Sequence, residues 1–250
     1  MRANDMMARM NDIVKNVLKR ALPSAVCDVL RSCRQKVRPE RCMWEGVYRG
    51  FKDVTVVGAG YNDEQLIGEA CRYAKDLIRV LESPCIVPAY PAGDHALLCL
   101  LSSLQSRSLR PLRILDYGGG AGVGYLHLRR CMIPRPPIEY HIVECPRLCD
   151  AASEVFARFP EVHFRTSLPA GLENIDIVYA CSALQYVEDY RSVLESLCRY
   201  RASYLLLAKV SAGEFSTYAT RQKNLPSATL AYWFFNIREI VEIVSAQGYD

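Results

Sequence analysis

From residue 112 onward, short apolar runs alternate with stretches in which hydrophobic positions recur every three or four residues. The runs are LRILDY (112–117), IEYHIVE (138–144), VHFRT (162–166), IDIVYAC (175–181) and SYLLLAKV (203–210). The helical stretches fall near 123–132, 147–158, 189–201 and 236–247. Short β-rich runs spaced by helices predict right-handed crossovers and a mainly parallel sheet with helices on both faces. The gap at 167–174 is too short for a full helix. Upstream, Asn62-Asp63-Glu64 marks a helix start with apolar positions continuing to Leu81, and Pro84 and Pro88 break that pattern before a second helix from about Asp94 to Gln105. MWEGVYRGF (43–51) suits a buried aromatic turn. Residues 211–235 read as an irregular surface loop over an aromatic core of Tyr232, Trp233, Phe234 and Phe235.

Charge changes the picture at one end only. Residues 1–42 hold ten Lys or Arg against four acids, a net of +6, which leaves about −2 for the rest of a +4 chain. Met10, Ile13, Val14, Val17, Leu18 and Leu22 recur there at helical spacing, so the segment predicts an amphipathic helix with a basic face. Such a helix docks on its own domain or makes peripheral contact with an anionic membrane. No apolar run approaches the ~20 residues that a spanning helix requires, and no secretory signal opens the chain, so a cytoplasmic, at most membrane-peripheral, protein is expected. The eleven cysteines include no C-x-x-C pair and mostly sit in apolar stretches. They read as free core thiols, and no metal site is expected.

ILDYGGGAGVGYL (114–126) packs five glycines into positions 118–124, at the turn from the first strand of the alternating region into its first helix. In open α/β sheets ligands bind beyond the carboxyl ends of the strands, and the following helix N-terminus offers unpaired N–H groups. The dinucleotide fingerprint needs glycines at i, i+2 and i+5. Counting from Gly118, Gly120 or Gly122, that last position holds Val123, Tyr125 or His127, so the fingerprint fails in every frame. No Gly-Lys-Ser/Thr follows, so a phosphate loop fails as well.

Asp116-x-Gly118-x-Gly120-x-Gly122 resembles motif I of the class I S-adenosylmethionine (SAM) dependent methyltransferases, and that resemblance implies a Rossmann-like fold with SAM as cofactor. It implies that Asp116 meets the cofactor's amino group while Gly118, Gly119, Gly120 and Gly122 give it room. Glu144, at the end of the second strand of that region, stands where this class carries an acid for both ribose hydroxyls. The loop after the fourth strand would bring Cys181 and Ser182 beside the methionine part, with Gln185 and Tyr186 facing the site. The usual adenine-contacting acid after the third strand is absent, which leaves Ser167 or a backbone amide as substitute. Trp44-Glu45-Gly46-Val47-Tyr48, Ala183-Leu184-Gln185-Tyr186 and Tyr232-Trp233-Phe234-Phe235 are further similar to a bacterial methyltransferase family associated with surface-polysaccharide biosynthesis, from about residue 42 to the end. The class continues with two more strands after the helix at 236–247, so a sheet lacking its last two strands is expected here.

The organisation implied is a basic amphipathic helical extension (1–41), a helical lid or cap region (42–110) and a SAM-binding Rossmann-like domain (111–250). The expected reaction is methyl transfer to a small-molecule or glycan acceptor, with oxygen as the target atom. Candidate catalytic groups are His95, at a helix start in the lid region, Tyr48, Tyr186 and Arg221, the last together with Lys223 as an anion binder. His141 and His163 lie in strands and His127 in a helix, where each reads as structural. Two other classes share these features. A nucleic-acid methyltransferase would use the basic extension, but the Asn/Asp-Pro-Pro-Tyr type motif is absent, and nucleic acid is not the expected partner. A non-catalytic scaffold would explain the missing strands but leaves motif I and Glu144 without a role.

Overall fold

The structure is a computed structural model that describes residues 43–82, 97, 100, 101, 104, 110–132, 137–225 and 227–249. Contacts group the chain into a unit of residues 1–43 and a compact unit of residues 44–250. The amphipathic extension therefore lies outside the described residues, as does most of the helix expected at 94–105. Leu97, Leu100, Leu101 and Leu104 are helical, with Leu97 and Leu101 buried.

Five parallel strands form the central sheet: β2 (Leu112–Tyr117), β3 (Ile138–Val143), β4 (Val162–Arg165), β5 (Ile177–Cys181) and β6 (Tyr204–Ala208). Their spatial order is β4-β3-β2-β5-β6. The chain thus winds outward from β2 through β3 to β4, then returns to the other side of β2. This is a doubly wound, Rossmann-like arrangement, with its switch point between β2 and β5. The crossover helices are α2 (Val123–Cys131), α3 (Pro146–Val155) and α4 (Tyr190–Cys198), close to the predicted bounds. As expected, none forms between β4 and β5.

Strands buried on both faces need apolar residues at consecutive positions, and the sheet has them. Ile114, Tyr140, Ile142 and Ile177 pack on one face with α2, α3 and α1 (Glu64–Glu82). Leu115, Val143, Val178 and Ala180 face the other side, with α4 and α5 (Ile237–Ala246). Asp63 starts α1 as its sequence predicts: the Oδ1 atom accepts from the amides of Gln65 at 2.9 Å and Leu66 at 3.2 Å.

Two expectations are corrected. MWEGVYRGF is not a turn: Trp44–Tyr48 forms strand β1, the edge of a second sheet. Nor is 211–235 irregular, since it contains β7 (Ala212–Gly213), β8 (Tyr218–Gln222) and β9 (Leu230–Asn236), in the order β1-β8-β9-β7. The β8–β9 pair is an antiparallel hairpin with Tyr218 opposite Phe234 and Gln222 opposite Leu230. Its aromatics point alternately to two faces. Trp233 and Phe235 join the core around Tyr190, whereas Tyr232 and Phe234 pack on Trp44. Both faces of β9 are apolar, so the period of two that marks a strand is invisible in the sequence.

Candidate functional site

At the switch point the loops after β2 and β5 meet. Gly118 has φ +72, and a Cβ there would stand 2.5 Å from the Cβ of Ala183. Only a residue without a side chain lets these loops touch in this backbone conformation. Gly120, also left-handed at φ +57, has nothing within 4 Å of where a Cβ would project. Beyond the two loops lies a cleft of about 780 Å³, walled by Gly118, Gly120, Glu144, Ser167, Ser182 and Tyr186 among others. Its outer wall comes from Tyr61 and from Leu66, Ile67 and Ala70 at the start of α1.

Six of the predicted residues therefore line one space. Others stand behind its wall. Asp116 is 2% exposed, and its Oδ2 accepts a hydrogen bond of 2.7 Å from the Tyr140 hydroxyl. The same oxygen lies 2.5 Å from where a Cβ of Gly119 would be, and the Tyr140 hydroxyl 2.9 Å from that of Gly124. Gly119 and Gly124 thus clear space for the Asp116–Tyr140 pair, while Gly122 clears it for the Phe156 ring, 2.7 Å from its would-be Cβ. Cys181 ends β5 half-buried and packs against the core on the α1 side. Gln185 is fully buried beneath the loop: its Nε2 donates to Lys209 O at 2.9 Å and to the hydroxyls of Ser182 and Tyr232, both at 3.2 Å. It braces Ser182, whose backbone is left-handed at φ +52.

Glu144 carries the main electrostatic feature. It sits just past β3, where its amide donates to Arg165 O at 2.9 Å. One carboxylate oxygen, Oε2, accepts from the Cys145 amide at 3.3 Å, and among the described residues Oε1 has no partner. Burial raises the pKa of this carboxyl, and the Cys145 amide offsets the rise only in part. Burial likewise raises that of the neighbouring Tyr117 phenol, with Glu144 adding to it.

The catalytic candidates separate. Tyr186 is in the cleft, edge-on to the rings of Tyr61 at 5.1 Å and Tyr232 at 5.0 Å. Burial, then the Tyr61 hydroxyl, push its pKa well up, so it stays protonated at neutral pH and can donate a hydrogen bond but not take a proton. Tyr48 belongs to β1 and packs against the core on the α4 side, and the cleft wall does not include it. Arg221 projects from β8 to Glu45 Oε2 at 3.3 Å, which also binds Lys223 at 2.8 Å. An internal carboxylate thus occupies the anion-binding role expected of that pair. His95 lies outside the described residues. Tyr140 and Tyr61 were not singled out in the sequence. Gly124, two residues past the last motif glycine, is the local sign of Tyr140 in the sequence.

No family model and no curated protein sequence matches the chain. Solved structures do. The N-terminal domain of EvdMO1 with SAH bound is 16% identical over 77% of this chain and 90% of its own, at a TM-score of 0.44. CalS10, an amino pentose methyltransferase from Micromonospora echinaspora with SAM bound, is 14% identical over 60% of this chain and 80% of its own, at 0.43. DesVI from Streptomyces venezuelae is 12% identical over 74% and 90%, at 0.43. These are likenesses of fold. Among the described residues, no helix is long and apolar enough to cross a membrane.

Proposed function

We propose that the cleft binds S-adenosyl-L-methionine and that the protein transfers its methyl group to a small-molecule or glycan acceptor, at oxygen. The carrying observation is the convergence on one cleft of the bare Gly118–Gly120 wall and the half-satisfied carboxylate of Glu144. A carboxylate can accept from two adjacent hydroxyls, and Oε1 of Glu144 is open to the first of them. The open space at Gly120 lets a ligand lie directly on the main chain. Ser167, at the end of the cleft beyond β4, can hydrogen-bond a base edge, and Ser182 can meet an amino-acid moiety.

The bound cofactor would supply a methyl group on a sulfonium leaving group, and the chain's part is placement. Holding two reactants in near-attack geometry can remove about 7–11 kcal/mol of barrier at best. Tyr61, Leu66, Ile67 and Ala70 give the cleft a largely apolar outer wall. The Tyr186 hydroxyl can orient an acceptor oxygen by donating to it.

Calorimetric titration of SAM and S-adenosylhomocysteine, with NAD as control, tests the reading in wild type and Glu144→Ala. Saturable binding of the two sulfur ligands, weakened at least tenfold in the variant, is expected. No binding by the folded wild-type chain would sink the proposal. Glu144 is the better probe than Asp116, because loss of Asp116 would disturb the turn through Tyr140 whatever the ligand.

A further inference from the structure

The crossover from β4 to β5 adds no helix to the sheet face that carries Leu115, Val143 and Val178. Positions 139, 141 and 143 of β3 share that face. In the parallel register His141 stands directly beside His163 of β4, the edge strand, and their rings stack with centroids 4.8 Å apart at 24°. His141 is 2% exposed. Its Nε2 lies 3.0 Å from Glu139 Oε1, and its Nδ1, also buried, has no hydrogen-bond partner. One donor atom from each of Glu139, His141 and His163 falls within 4.8 Å of the others. Simple packing, the role expected of both histidines, accounts neither for the orphaned nitrogen nor for a carboxylate gathered beside two imidazoles.

We infer that Glu139, His141 and His163 form a binding site for a divalent transition ion of the zinc class, fastening edge strand β4 to β3. Two borderline imidazole nitrogens beside one hard carboxylate oxygen suit such an ion, whereas calcium and magnesium take oxygen ligands throughout. Bonds of about 2.0–2.2 Å place neighbouring ligands of a tetrahedral ion roughly 3.3 Å apart, so the widest gap must close when the ion enters. His163 is the member able to close it. It is half-buried, and its ring enters no side-chain hydrogen bond among the described residues. Glu139 keeps its second oxygen on Arg113 Nε at 2.7 Å, an outer contact that orients the carboxylate as metal ligands generally require. Water completes the coordination from the His163 side.

The experiment strips the full chain with EDTA, titrates Zn²⁺ calorimetrically, and repeats the titration with Co²⁺ as an absorption probe. Wild type, His163→Gln and Glu139→Gln are compared. Expected are one ion per chain, affinity at least tenfold weaker in each variant, and a Zn²⁺-dependent rise in Tm that His163→Gln abolishes. The Co²⁺ spectrum of wild type should show ligand-field bands without thiolate charge transfer. Absence of stoichiometric uptake by folded wild type, undiminished uptake by both variants, or a thiolate band pointing to the cysteines would each overturn the inference. The wild-type spectrum decides even where a variant folds poorly. The outcome does not depend on SAM binding.

Discussion

Gly118 and Gly171 share a left-handed backbone, φ +72 and +76, but only Gly118 is crowded. Alanine in that conformation costs roughly 1–2 kcal/mol at either place. Gly171→Ala should lose about that much stability and keep SAM binding within twofold, whereas Gly118→Ala should lose binding as its Cβ meets Ala183. Denaturant unfolding and calorimetry on both variants check this. Tyr140→Phe removes one hydrogen bond from buried Asp116 and should cost about 1–3 kcal/mol, with weaker SAM binding from a loosened turn. For Glu144, burial raises the folded pKa, so the carboxylate is lost at a higher pH than an ordinary glutamate's as pH falls. SAM affinity should decline through that raised pKa, and in Glu144→Gln the decline should vanish. The same shift makes ionisation of Glu144 unfavourable to folding: its contribution to stability falls as pH rises from the unfolded to the folded pKa. Asp116, the glycines and Glu144 stand out in the sequence through the spacing they share with motif I, and the structure gathers Gly118, Gly120 and Glu144 on one cleft. Tyr140 was not, because its role depends on the neighbouring strand's register.

At the scale of elements, the helices of the parallel region were readable to within a few residues. Each has a one-sided apolar stripe, and several have a start signal that works locally. Asn236 caps α5 by accepting from the Arg238 amide at 2.9 Å, while its own amide donates to Thr217 Oγ1, also at 2.9 Å. Asn236→Ala should cost on the order of 1 kcal/mol, read as a lowered midpoint in thermal or denaturant unfolding. Strand β1 was illegible for the opposite reason. Its partner is β8, with Trp44 opposite Gln222 and Tyr48 opposite Ala219, and nothing within five residues announces a pairing so distant in sequence. Thr220 of β8 reaches across the irregularity in that register, with Oγ1 donating to Gly46 O at 2.7 Å.

For the molecule as a whole, a ligand held by loops of the central sheet and by α1 should stabilise the folded state as one unit. Saturation at a hundred times Kd adds about 2.7 kcal/mol. Spread over a domain of 150–250 residues, this should raise Tm by on the order of 5–10 °C. A scan with and without excess S-adenosylhomocysteine would show it, and Glu144→Ala should show a smaller rise at the same ligand concentration. The contact between Gly118 and Ala183 sets a further limit. The loops of β2 and β5 stand as close as atoms permit, on strands paired from Ile114 with Ile177 to Tyr117 with Ala180. That side of the cleft works like the fixed jaw of a vice. The opposing jaw is Tyr61 and the first turn of α1, which rest on side-chain packing and not on the sheet's hydrogen bonds. Under the proposed function, differences in acceptor size would be absorbed at Tyr61 and Leu66, and substitutions that widen or narrow acceptor choice should cluster there.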